Sequence, residues 1–71
     1  MERFLRYSVE HERSIRAVFL WEGRMVQKTV TVLAMAGDSV TLRVGRKGKP
    51  MILAVSDLFS CDYARGDHGE E

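Results

Sequence analysis

Between Leu42 and Leu53 the chain reads LRVGRKGKPMIL, and four cations, Arg43, Arg46, Lys47 and Lys49, fall within seven positions. Two glycines and the only proline are interleaved with them. Chemistry of this kind is anion contact: Lys and Arg gathered on one surface neutralise phosphates, and affinity grows with the number neutralised. Arg16 and Lys28 would extend the patch if their strands present the same face. The same residues also suit a plainer role, in which Gly45 and Gly48 shape a turn and the cations keep its tip soluble. No aromatic residue lies among the cations to stack a nucleic-acid base, as single-strand binders require.

The remaining reactive side chains make a thinner case. Cys61, His11 and His68 lie near Asp62 and Asp67 in sequence or in type, but a metal site wants three or four ligands at closed spacing. Neither histidine repeats at i+3 or i+4, and there is no second cysteine. Cys61 alternates with Phe59 and Tyr63 and reads as a small core residue. A Cys–His nucleophile would need an orienting third group and an oxyanion site, and none can be assigned. The tripeptide Arg65-Gly66-Asp67 reads as a turn at Gly66, with Asp67 capping local backbone donors. The expectation is a non-enzyme without cofactor or metal.

The elements that must position these residues follow from periodicity. Met1, Phe4, Leu5 and Val9 fit a helical stripe, and Glu2 and Arg6 form a favourable i, i+4 pair. Leu5, Tyr7, Val9 and His11 also alternate as a strand would. The helix is preferred, over about residues 2–12. Strands are predicted at about 14–21, 25–35, 39–44, 50–56 and 59–63 from β-branched and aromatic alternation bounded by glycine turns. On the second strand Val26, Val30, Val32 and Ala34 share one face; Gln27, Thr29 and Thr31 share the other. Met25, Gln27 and Met35 are assigned to the face opposite the core. Val30, Val32, Val40, Leu42 and Ile52 are the expected core, with Phe19 and Trp21 also inward. Residues 1–64 form one small domain, and 65–71 a polar tail expected to be flexible.

Seventy-one residues bury only about 60% of the unfolded surface, so the core is marginal. A lone cysteine excludes an internal disulfide and suits a reducing, cytoplasmic compartment. No run approaches the roughly 20 apolar residues of a membrane span, and the N-terminus lacks a signal-peptide core. Self-association is the stabiliser left, so a homo-oligomer is expected. The net charge of +1 hides an asymmetry. Residues 13–49 carry eight basic and two acidic side chains; residues 50–71 carry five acidic and one basic. That permits an anion-binding face or a self-complementary contact between copies.

A helix followed by five short strands makes a meander that wants to curl, and closing it would remove exposed edges. In its stretches FLRYSVEHERSIRAVFL, TVTVLAMAGDSVTLRV and LAVSDLFSCDYARGD, the chain resembles the Sm-like barrel, and more narrowly the small WYL-type domains of bacteria. The Trp-Tyr-Leu triplet and the Sm RNA-binding motif are absent. The resemblance implies a mostly β, five-stranded Sm-like barrel with a short N-terminal helix. It also implies a regulatory or accessory module that senses a ligand or nucleic acid. Two functions follow: a basic hairpin that contacts nucleic acid or a phosphorylated ligand, or a homo-oligomeric interaction domain with no nucleic-acid role.

Overall fold

The computed structural model describes residues 1–67 and 69. Helix α1 spans Glu2–His11, and strands β1 to β5 span Ser14–Trp21, Arg24–Ala36, Ser39–Val44, Met51–Ala54 and Leu58–Tyr63. A one-turn 3₁₀ helix, Val55–Asp57, joins β4 to β5. All strand pairs are antiparallel, in the order β4-β3-β2-β1-β5. The protein is therefore mostly β with one short N-terminal helix. The expected closure into a barrel is not present: β4 and β5 stand at opposite ends of the order and are not joined, so the sheet is open. β4 is also shorter than the expected 50–56, because Pro50 stays outside the ladder and Val55 turns away, its N–H donating to the Asp38 carbonyl at 2.7 Å.

One face of the sheet carries the core. Cross-strand neighbours share a face. Val30 stands opposite both Ile15 and Val44, Val32 opposite Leu42, and Val40 opposite Leu53. Ile15, Phe19, Val30, Val32, Val40, Leu42, Leu53 and Leu58 are buried. Two register shifts break the alternation on which the sequence reading relied. The first, between Val32 and Ala34, makes Leu33 an extra residue and brings Met35 opposite Val40, on the core side. Met35 therefore leaves the face shared by Met25 and Gln27. The second, opposite Val18 and Phe19, pairs Leu58 with Phe19 and leaves Phe59 half exposed. Bulges of this kind insert one residue and bend the strand.

Two core expectations fail for identifiable reasons. Ile52 is 73% exposed, because it pairs with outward-facing Thr41, and Leu53 takes the buried place opposite Val40. Trp21 is also exposed, since it lies in the last pair before the turn, opposite Arg24. Gly23, with φ 77°, makes that turn.

Helix α1 covers the core face through Leu5, Tyr7 and fully buried Ser8. The Ser8 hydroxyl accepts from the Val32 N–H at 2.8 Å, beside the bulge, and donates to the Arg13 carbonyl at 2.5 Å. The Ser8 carbonyl accepts the N–H groups of Glu12 and Arg13 and closes the helix. Glu2 and Arg6 pair at 2.7 Å on the exposed side, where such a pair adds at most a few tenths of a kcal/mol.

Removing the Ser8 hydroxyl should strand the Val32 N–H, so Ser8→Ala is expected to cost about 1–3 kcal/mol in urea unfolding. Leu42→Ala should cost about 2–5 kcal/mol. Ile52→Ala should stay within about 0.5 kcal/mol of wild type, as an exposed substitution does. An Ile52→Ala cost equal to that of Leu42→Ala would contradict the register.

Candidate functional site

The β3–β4 loop begins at Gly45, whose φ of 69° lets the chain leave β3 while its N–H still donates to the Thr29 carbonyl at 3.1 Å. Arg46, Lys47 and Lys49 follow and are all exposed. Gly48 is held for a different reason than a positive backbone angle: a Cβ there would collide with the Val44 carbonyl. The loop thus folds back over the end of β3 and presents three cations at its tip. No hydrogen bond or ion pair to described residues engages them.

The other three candidates do not share one face. Lys28 pairs with Ala17 and so lies on the row of the core face, at its open end near Trp21, Glu22 and Val26. Arg16 lies on the opposite face and is committed to β5, with its Nε donating to the Tyr63 carbonyl at 3.0 Å and an Nη 3.5 Å from Asp62. Arg43 shares that opposite face, since it pairs with Thr31, but it stands two strands from Arg16, roughly 10 Å away. The structure therefore gathers Arg46, Lys47 and Lys49, puts Arg16 and Arg43 on the face opposite the core, and leaves Lys28 next to Thr29, whose carbonyl holds Gly45 at the start of the loop.

Arg43 instead lines a cleft with Val9, Glu10, Glu12, Thr31 and Leu33. Its Nε is buried and has no hydrogen-bond partner. A buried donor left unpaired costs about 1–3 kcal/mol, more when charged. The sequence carried one signal of this cleft that periodicity did not use. Glu10 and Glu12 end the helix, where the macrodipole favours cations.

The Arg65-Gly66-Asp67 tripeptide is a turn, with Gly66 at φ 86° and the Asp67 N–H donating to the Ala64 carbonyl. Asp67 caps the Gly69 N–H at 2.9 Å, a local role of the expected kind. It also accepts from the Tyr7 hydroxyl at 2.8 and 3.0 Å and lies 3.7 Å from the Arg13 guanidinium. Tyr7 and Phe4 pack edge-on against Tyr63, at 5.2 and 4.9 Å between ring centres. Burial, then the bond to Asp67, hold the Tyr7 phenol above its ordinary range. Asp67 is thus fastened to α1 through Tyr7, a contact invisible in sequence because it joins positions sixty apart.

Cys61 is half-buried, and burial pushes its thiol up to about 11. The thiolate is the nucleophilic form, so this cysteine is poorly suited to attack. No group of three or more His, Cys, Asp or Glu among the described residues is placed to hold a metal ion. His68 lies outside those residues. No described helix is long and apolar enough to cross a membrane. No protein-family model matches the chain, and no curated protein or solved structure matches it.

Two measurements check this geometry. Alkylation of Cys61 by iodoacetamide at pH 8 should run at least about tenfold slower in the folded than in the urea-unfolded chain, because the folded thiol titrates near 11 against an ordinary 9.0. The folded value is the raised one, so stability should fall as pH climbs from about 9 through 11. Gly48→Ala should lower the thermal midpoint although its φ is ordinary; an unchanged midpoint would refute the loop's close approach to Val44.

Proposed function

We propose that this chain is a non-catalytic binding module that associates with copies of itself through the free edges of its sheet. The observation that carries this reading is the open strand order. β4 and β5 each present an unpaired backbone edge, and each bears a large exposed apolar side chain, Ile52 at 73% and Phe59 at 50%. An unpaired edge is a template for another strand. Proteins commonly blunt such edges with Lys or Pro, and neither occurs within MILA or LFSCDY. A domain of this size gains from association what its own core cannot supply. The basic middle and acidic end of the chain suit a contact between unlike faces of two copies. A helix followed by five antiparallel strands, bent by two bulges, supports an Sm-like reading of the unit. The lone free cysteine supports a reducing, cytoplasmic setting.

A second function rests on the loop. Arg46, Lys47 and Lys49 are exposed and unengaged by described residues, which favours contact with phosphates of a nucleic acid or a phosphorylated ligand. Phosphate contacts position a protein without reading base sequence, so binding of this kind is general.

Sedimentation of the wild-type chain should show a concentration-dependent or fixed multimer, and Ile52→Lys with Phe59→Lys should return it to monomer. A wild-type monomer at high micromolar concentration would defeat the self-association reading. Gel shifts test the loop. Arg46→Ala and Lys47→Ala should each weaken nucleic-acid retention without lowering stability. Each should also reduce the slope of log K against log salt by about 0.7 for single strands or 0.9 for duplex. Absence of salt-sensitive retention at low ionic strength would remove the phosphate role.

A further inference from the structure

The cleft at the helix C-terminus is used by neither reading above. Its volume of about 450 Å³ falls within the roughly 300–1,000 Å³ of small-molecule sites. Val9 and Leu33 give it apolar wall, Thr31 and Arg43 a polar floor, and Glu10 and Glu12 an acidic rim. Leu33 is there because it is the extra residue of the β2 bulge.

Three features fix what would sit in it. The Arg43 guanidinium makes no ion pair or hydrogen bond with a described residue, and its buried Nε is unpaired. Glu10 and Glu12 stand at the negative end of the helix dipole, where acidic groups repel the terminal carbonyls. Glu12 also holds φ 53°, a left-handed conformation that favours glycine or asparagine at a helix end. Charged groups of both signs therefore line one cleft.

We propose that this cleft binds a small zwitterion of α-amino-acid type. The ligand carboxylate lies on Arg43, whose planar fork matches it. The ammonium lies between Glu10 and Glu12, where the helix carbonyls add to its attraction. An apolar side chain rests on Val9 and Leu33. A simple anion would be opposed by the two glutamates, and a simple cation by Arg43. A molecule with both charges a few ångströms apart satisfies the whole site.

The test is a ¹⁵N–¹H correlation titration of the full chain with three probes: L-leucine, N-acetyl-L-leucine and L-leucine methyl ester. Leucine should give saturable shifts at the amides of Val9, Glu10, Glu12, Thr31 and Leu33. Each single-charge analogue should bind about tenfold or more weakly, the usual consequence of losing one charge-assisted contact. Arg43→Gln should abolish the leucine response while its spectrum stays folded. Should that variant unfold, Arg43→Lys, which keeps the charge and loses the fork, should weaken leucine binding instead. Glu12→Gly should raise the thermal midpoint by relieving the left-handed backbone, yet weaken leucine binding; a purely structural Glu12 would give only the first effect. The proposal is overturned by absence of saturation with leucine, by equal response to all three probes, or by unchanged binding in the Arg43 variant. Ile52 and Phe59 do not line the cleft, so failure here leaves the self-association result standing.

Discussion

The bond from the Val32 N–H to the Ser8 hydroxyl is the constraint on which the rest of the structure depends. A bulge on β2 shifts the register beside Val32, and Ser8 takes up that N–H at 2.8 Å. Its hydroxyl proton in turn reaches the Arg13 carbonyl, so a single oxygen ties the helix, the following turn and the bent strand together. A polar atom with no exposure is tolerable only when its bonding capacity is filled, and here it is filled from two elements. The helix position then follows. Leu5 and Tyr7 come down on the core face, and Glu10 and Glu12 come to rest beside Leu33 and Arg43.

What was legible in the sequence was the periodicity between bulges. Val30, Val32, Val40 and Leu42 alternate cleanly, and all four are buried. The single helix and the predominance of strand were legible for the same reason. Where one residue is inserted, period-two reasoning assigns every later residue to the wrong face. Met35 moved to the core side by that route, and Phe59 moved out. Ile52 misled differently: all four residues of MILA are apolar, so composition leaves the inward residue open, and only the pairing of Leu53 with Val40 decides it. Openness of the sheet was not legible at all, because pairing between first-formed edges depends on curvature rather than on any one strand's pattern.

The candidate site was legible only where it was local. Arg46, Lys47 and Lys49 stayed together because the six residues between β3 and β4 cannot scatter them. Arg16, Lys28 and Arg43 were joined to them by sign of charge, but strand parity puts Arg16 and Arg43 on the face opposite Lys28. Lys28 pairs with Ala17 and Arg16 with Thr29, one residue apart and on opposite faces. The contact of Asp67 with Tyr7 and Arg13 left no trace in spacing, since it is made by the ends of the chain meeting over Tyr63.

Three loop cations are few for a grip on a polyanion. Neutralising three duplex phosphates gives a salt slope of only about −2.7, which leaves little affinity at physiological salt. The edge strand changes that arithmetic. β4 begins at Met51, two residues after Lys49, so whatever orients the β4 edge also orients the loop. Copies joined along that edge would repeat the trio at a fixed spacing. The second and later contacts would then form at a high effective concentration rather than from free solution. On this reading self-association and phosphate contact would be ordered: the loop would act on its own only weakly, whereas an edge-paired assembly would turn the same residues into a continuous basic surface. The requirement is geometric and follows from the sheet being open, because a closed barrel would offer its copies no edge to share.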